Sequence, residues 1–230
     1  MSNKWLFFPS SNIVVDGLVL HLDAGNSSSY SGSGSTWTDI SGEGNDGTLI
    51  NGTSYNSDYG GSLVFDGTND YIDVSGTESL NAPISIDFTL SLWMYPTKTG
   101  NWQGVFTKNR STDTQVGLFL SSGNQFVFGF SGYSGNLVGS SFSTNTWYHV
   151  VLVQTADTSR KIYINGSLDV TKTSSFGVAS SGSETFRLGQ ASGVTEYFGG
   201  RISAACIYNN KAFTTSEVLQ NYNALKGRYQ

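Results

Sequence analysis

The clearest pattern in the chain is a strict two-residue alternation of apolar and polar positions. From Ile84 to Met94 the side chains of Ile84, Ile86, Phe88, Leu90, Leu92 and Met94 share one face of a strand that Pro96 stops. Leu18, Leu20 and Leu22 alternate with Val19 and His21, so the leucines are expected inward and the other two outward. Over Tyr148–Val153 both faces are apolar. Tyr148, Val150 and Leu152 point one way, and His149, Val151 and Val153 the other, which predicts a central strand covered on both sides. A polar turn and the return run Lys161–Ile164 then lead to Asn165-Gly166. That dipeptide closes a two-residue hairpin, because both turn positions need positive φ. The hairpin sets Ile164 opposite Ser167, Tyr163 opposite Leu168 and Ile162 opposite Asp169.

Shorter runs read as further strands: Thr48–Ile50, Ser62–Phe65, Tyr71–Val74, Gly104–Thr107, Val116–Leu120, Gln125–Phe130, Thr185–Leu188 and Tyr197–Tyr208, the last bent at Gly199-Gly200. Ser62–Phe65 and Tyr71–Val74 flank the turn residues 66–70 and read as a hairpin, and the Ser/Gly-rich stretch 26–36 as a flexible loop. One helix is predicted. Thr214-x-x-Glu217 is a capping box, Val218, Tyr222 and Leu225 lie on one face, and Gly227 is placed as the C-cap. Lys226 and Arg228 suit the negative helix end. Many short strands and a single terminal helix imply an all-β, two-sheet antiparallel sandwich with one short C-terminal helix. The sandwich is expected over residues 17–230, behind an N-terminal arm at 1–16. Within the arm Trp5, Leu6, Phe7 and Phe8 are too apolar to be left in water, so they pack on their own sandwich or dock on a partner.

Composition narrows the partners. The chain has 230 residues, a net charge of −5 and only 13% charged residues. Its sparse, scattered Lys and Arg argue against nucleic acid. No apolar run is long enough for a transmembrane helix, and the first residues do not form a signal peptide. Without a secretory signal, the Asn-x-Ser/Thr triplets at Asn26, Asn51, Asn109 and Asn165 read as chance matches. The single cysteine, Cys206, sits in an apolar strand and reads as a small buried hydrophobe.

Little in the sequence points to catalysis. A paired-acid glycosidase strand would place carboxylates two residues apart, but Glu43, Glu78, Glu184, Glu196 and Glu217 are each isolated. Gly42-x-Gly44-x-x-Gly47 precedes a strand rather than a helix, so it lacks the helix N-terminus a phosphate site needs. Asp39, Glu43 and Asp46 are weak calcium candidates, with an Asx-turn role the alternative, and Asp66 and Asp70 read the same way. His21 and His149 are expected as core or near-surface histidines rather than metal ligands. For binding, Trp37, Trp102, Tyr133 and Tyr30 lie in loops or at strand starts, where an exposed ring could stack on a sugar face. The alternative for Trp37 and Trp102 is that they close the ends of the sandwich. Trp93 and Trp147 are expected in the core.

Four ordered blocks then carry a resemblance. They are Ser62–Tyr71; Phe88–Trp93 with Tyr95-Pro96; Trp147–Val150 with Ile162–Gly166; and Leu188-Gly189 followed by Phe198–Ile202, Ile207–Asn209 and Ser216-Glu217. In this order and spacing the chain resembles the concanavalin A-like, laminin G-like jelly rolls over about residues 17–226. Ser203 departs from the acid these domains often carry there, and Ala204, Ala205 and Cys206 replace more usual charged positions. Gly17–Asn26, Trp37–Gly42 and Asn221–Tyr229 look like jelly-roll domains in structural proteins of tailed bacteriophages. The resemblance implies a non-catalytic virion structural or surface protein, a capsid decoration or tail component. Its partners would be other virion proteins in a homo-oligomer or lattice, with host-surface glycan as a further one, and its location the virion surface. A carbohydrate-binding lectin or adhesin is the alternative, and a glycoside hydrolase a third reading. No cofactor is expected beyond the calcium candidate.

Overall fold

The doubly apolar run at 148–153 and the alternating run before Pro96 become the paired centre of one sheet. The computed structural model describes residues 12–74, 80, 87–108, 116–130, 135–156, 158–173, 185–191 and 195–230. In chain order the strands are β1 (Leu18–Asp23), β2 (Thr36–Trp37), β3 (Gly47–Ile50), β4 (Ser54–Asn56), β5 (Ser62–Asp66), β6 (Tyr71–Val74), β7 (Phe88–Pro96) and β8 (Gln103–Lys108). They continue as β9 (Val116–Leu120), β10 (Gln125–Phe130), β11 (Leu137–Ser141), β12 (Tyr148–Thr155), β13 (Ser159–Ile164), β14 (Ser167–Thr173), β15 (Phe186–Leu188) and β16 (Gly199–Asn209), followed by helix α1 (Thr215–Leu225). The first sheet runs β14-β13-β12-β7-β16-β5-β4, with β1 also paired to β16; the second runs β11-β10-β9-β8-β15-β6-β3-β2. Each sheet has eight strands, and their named pairings are antiparallel, giving a jelly-roll sandwich.

The inward faces meet in one core. Phe88, Leu90, Leu92 and Met94 of β7 and Val150 and Leu152 of β12 pack against Ile72, Phe106, Leu118, Phe126 and Leu188 of the second sheet. On the other face of the first sheet, Val151, Tyr163, Cys206 and Tyr208 are covered by Phe213, Val218 and the chain at Ile13 and Val14. Trp93 and Trp147 are buried as expected, yet in this outer layer with Tyr222, Leu225 and Tyr229 rather than between the sheets. The central strands are therefore wrapped twice, which is why their sequences are apolar on both faces.

Helix α1 starts at the capping box. The Glu217 amide donates to Thr214 Oγ1 at 3.3 Å, and the Thr214 amide to Glu217 Oε2 at 2.8 Å. Gly227 is not a left-handed cap. The helix instead tightens into a 3-10 turn over Lys226–Arg228, and Arg228 reaches back to β1. Its two terminal nitrogens hold both oxygens of the buried Asp23 at 2.6 and 2.9 Å. The Tyr229 hydroxyl donates to Ser203 Oγ, which donates to the Gly61 carbonyl, so the tail is stitched to two strand ends. The end of the arm packs on the same helix, with the Val14 amide bonded to Asn221 Oδ1 at 2.8 Å. Trp5, Leu6, Phe7 and Phe8 lie outside the described residues.

Several expectations are corrected, and each correction is a break in regular pairing. Ser62–Asp66 and Tyr71–Val74 are not a hairpin: β5 is in the first sheet and β6 in the second. Asp70 holds the corner between them, accepting from the Gly52 and Asp66 amides at 2.8 and 3.0 Å. In β1 a register shift between Leu18 and Leu20 turns Leu18 outward under the helix and Val19 onto the core. After the Asn165-Gly166 turn, with φ of 50° and 82°, Ile164 and Tyr163 pair as expected, but Ile162 faces Val170. The bulge turns Asp169 toward β11, where the amide and hydroxyl of Ser140 donate to it and join the edges of the two sheets. The irregularity in β16 falls at Ser203 rather than at the glycines. Stretch 26–36 is tied down by buried Ser29, which donates to the Thr38 carbonyl and accepts from the Asp23 amide. Strands β2, β4 and β11 are short or small and polar, and carry no readable alternation.

Two substitutions rank these ties. Arg228→Ala leaves the Asp23 carboxylate buried without its partner and is expected to cost about 2–3 kcal/mol, whereas Thr214→Ala removes one exposed cap and costs about 1 kcal/mol. Urea unfolding midpoints of the two variants measure this order.

Candidate functional site

Helix α1 covers the first sheet, and on the second sheet the alternation turns polar side chains outward at β3, β6 and β15. Ile72 and Val74, Phe186 and Leu188, and Phe106 and Leu118 turn into the core, so Asp73, Arg187, Thr107 and Gly117 turn out. Register makes these one row across the sheet: Thr48 beside Asp73, Asp73 beside Arg187, Arg187 beside Thr107, Thr107 beside Gly117, and Gly117 beside Gly129. Arg187 is the centre of the row. Its Nε donates to Asp73 Oδ1 at 2.6 Å and its Nη1 to Gln190 Oε1 at 2.7 Å. The guanidinium lies 4.6 Å from the centre of the Tyr71 ring. Side-chain exposures of 22% for Arg187 and 30% for Asp73 leave the pair open to solvent on one side.

The segment 189–191 borders this row and lies across β8. A Cβ on Gly104 would stand 2.1 Å from the Ala191 nitrogen, so only glycine lets the two backbones meet. Thr107 Oγ1 donates to the Gln190 carbonyl at 2.8 Å and pins the same segment. Beside it, Phe119, Val127 and Ala191 form a small apolar cluster on which half-buried Trp102 packs. A fixed, planar guanidinium with polar neighbours and an aromatic wall beside it is an arrangement suited to hydroxyl-rich, ring-faced ligands.

The residues singled out from the sequence fare differently. Trp102 lies beside this face, partly exposed. Trp37 is fully buried in the main core and closes the sandwich, so it offers no ring to a ligand. Tyr30 is 5% exposed, tilted against Tyr55, and its hydroxyl donates to the Gly34 carbonyl. Both are thus removed from the stacking set, and Tyr133 lies outside the described residues. Asp39 is spent on its own loop: Oδ1 accepts from the His21 and Ser41 amides, and Oδ2 from Ser41 Oγ and the Asn45 amide. Asp46 accepts from the Asp39 amide, and Glu43 is exposed. These are the bonds of an Asx-turn loop, and among the described residues no three metal-ligating side chains come together. Asp73, Arg187 and Gln190 were not foreseen, because a lone Arg and a lone Asp, 114 residues apart, carry no local signal.

Comparison with known proteins agrees with the fold. The family model described as the concanavalin A-like lectin/glucanases superfamily matches residues 66–219. The chain belongs to that superfamily. A comparison with curated proteins gives no match. Among solved structures, the binding domain of Paraclostridial Mosquitocidal Protein 1 superposes with a TM-score of 0.73 at 18% identity, covering 91% of this chain and 52% of that one. A Trypanosoma rangeli sialidase in complex with the inhibitor DANA gives 0.70 at 17% identity, covering 91% and 33%. Domain 4 of AbnA, an extracellular arabinanase from Geobacillus stearothermophilus, in complex with arabinotriose, gives 0.66 at 20% identity, covering 89% and 98%. The chain thus spans about half of the first, a third of the second and nearly all of the third. At these identities the likeness is one of fold.

One pair in this jelly roll imitates a catalytic dyad. Ser91 Oγ lies 2.9 Å from His149 Nε2, in the layer between the first sheet and α1. His149 is 1% exposed, and no acid orients its Nδ1, which has no hydrogen-bond partner. Burial pushes its pKa down to about 3. Burial likewise pushes the Cys206 thiol up. A buried, unoriented pair is a packing element rather than a nucleophile. It does carry a pH signature. The unfolded chain protonates His149 near 6.5 and the folded chain only near 3, so this contribution to stability is complete above about 6.5 and lost as pH falls toward 3. Urea unfolding across that window is expected to show a slope of up to ~1.4 kcal/mol per pH unit from this residue, absent in Ser91→Ala/His149→Phe.

Proposed function

We propose that the chain is a non-catalytic carbohydrate-recognition module, and that the glycan lies on the outer face of the second sheet against Arg187. The observation that carries this reading is the guanidinium of Arg187. It lies 4.6 Å from the centre of the Tyr71 ring and is braced between Asp73 and Gln190, with 22% of its side chain exposed. Such a guanidinium is held in place before a ligand arrives, so little freedom is lost on binding. The arabinanase domain in complex with arabinotriose, matched over nearly its whole length, supports carbohydrate as the ligand class. The sialidases support it less, since this chain corresponds to a third of them. The non-catalytic part rests on the isolation of the acids in sequence, since Glu43, Glu78, Glu184, Glu196 and Glu217 form no paired-acid strand.

The setting we infer is a virion. The segments 17–26, 37–42 and 221–229 resemble those of tailed-phage structural proteins, and the apolar residues Trp5–Phe8 would attach the module to its particle. The Arg187 face would then meet host-surface glycan.

A glycan array read with the wild type and Arg187→Ala tests the proposal. Binding to one glycan class, weakened at least tenfold in an Arg187→Ala variant that still unfolds cooperatively, is expected. Silence across the array removes the lectin reading, and hydrolysis of a polysaccharide panel, lost on one acidic substitution, overturns the non-catalytic one. Deleting residues 1–11 is expected to abolish attachment to the particle while leaving glycan binding intact; attachment that survives the deletion counts against anchoring by the arm.

A further inference from the structure

The two charges in the polar row of the second sheet leave a donor and an acceptor side by side. Arg187 spends its Nε on Asp73 Oδ1 and its Nη1 on Gln190 Oε1. Its Nη2 has no hydrogen-bond partner among the described residues, nor has Asp73 Oδ2, and neither atom is sealed from solvent. A guanidinium is a planar fork in which Nη2 shares one edge with Nε. The unspent donor therefore lies on the edge that faces Asp73, next to the unspent acceptor. The Tyr71 ring centre, 4.6 Å from the guanidinium, fills the space on one side of it.

The same pair sets the charge that a ligand can carry. Asp73 Oδ1 holds the Arg187 Nε at 2.6 Å, so the cation is already matched. Along the row Thr48, Asp73, Arg187, Thr107 and Gly117 there is no second cation. A carboxylate brought to Nη2 would stand beside the Asp73 carboxylate, like charge against like. A hydroxyl meets no such opposition, because it both donates and accepts. Two hydroxyls on adjacent carbons fit the pair: one accepts from Nη2 while its neighbour donates to Oδ2, and both bonds are strengthened by the charge on the protein side. The exposed Thr48, beside Asp73 in the register, continues the polar line away from Arg187.

Building on the carbohydrate reading, we propose that this face selects a neutral sugar through a vicinal diol and discriminates against sialic and uronic acids. The diol bridges Arg187 Nη2 and Asp73 Oδ2, which makes Asp73 a specificity residue as well as a brace for Arg187.

The test uses the full chain on an array of neutral pentose and hexose oligomers, with matched pairs that differ only in the acid: hexoside against hexuronide, and lactose with and without sialic acid. Wild type is expected to bind the neutral member of a pair at least tenfold more tightly. A deoxy analogue of the best neutral binder, lacking one hydroxyl of the diol, should lose at least tenfold. Because no net charge is paired, affinity should change less than twofold between about 0.05 and about 0.5 M salt. Asp73→Asn keeps an oxygen to accept from Arg187 but removes the negative charge. It is expected to weaken neutral glycans and strengthen acidic ones, a reversal that a damaged fold would not produce. If that variant does not fold, the matched pairs, the deoxy analogues and the salt series on wild type still decide. Preference for the acidic members, deoxy analogues that all bind as well as their parent, affinity that falls steeply with salt, or an unchanged neutral-to-acidic ratio in Asp73→Asn overturns the selectivity and leaves the carbohydrate reading standing. Silence across the array overturns both.

Discussion

The structure depends on burial of the first sheet from both sides. Val150, Leu152, Leu90 and Leu92 are pressed against the second sheet, while Val151, Val153 and Trp93 are pressed against α1 and the chain at 13–14. Apolar surface removed from water stabilises by about 25 cal/mol per Å², and a doubly covered strand collects this twice along its length. The covering layer in turn needs fastening, since α1 spans only residues 215–225. That fastening is polar: the capping box at its start, and the Arg228–Asp23 pair and the Tyr229–Ser203–Gly61 chain just beyond its end.

The same asymmetry divides the two faces by what they can do. Because the helix covers the first sheet, the second sheet keeps an outer face that can carry a polar row, and antiparallel register lines up Asp73, Arg187 and Thr107 on it. The row is rigid for a plain reason. Its members sit on paired strands, and Gln190 is pinned by Thr107 from below. The covered face produces the opposite situation, in which chemically active groups are sealed. Ser91, His149 and Cys206 are packed together under α1, where burial holds the histidine neutral and the thiol protonated.

Breaks in regular pairing do much of the joining. The bulge after Ile162 releases Asp169 to bind Ser140 on the other sheet, and the shift at Ser203 lets one hydroxyl link the tail to Gly61. Asp39 and Asp70 act in the same spirit, each carboxylate gathering backbone amides from segments distant in sequence. Acidic residues that resemble metal or catalytic groups when read one at a time are thus consumed as loop organisers, which fits a chain poor in charge yet rich in turns.

Local chemistry determined the central strands and the helix, though not β2, β4 or β11. The alternation before Pro96, the doubly apolar run at 148–153, the Asn165-Gly166 turn and the Thr214/Glu217 cap each act over a few residues, and each appears in the fold, the first as Phe88–Pro96 with Ile84 and Ile86 outside the described residues. Tertiary structure decided the rest. Whether Ser62–Asp66 and Tyr71–Val74 pair with each other or part to different sheets depends on Asp70 meeting Gly52, a contact that periodicity does not encode. Trp37 and Trp102 are the same residue type in similar loop settings, yet one is sealed in the core and the other flanks an open face, because burial is set by what folds over a side chain. Arg187 and Asp73 lie 114 positions apart and become neighbours only when β15 and β6 fall side by side. The period of a strand names its inner and outer faces; which strand lies beside it is settled by long-range pairing, and that is where the candidate site arises.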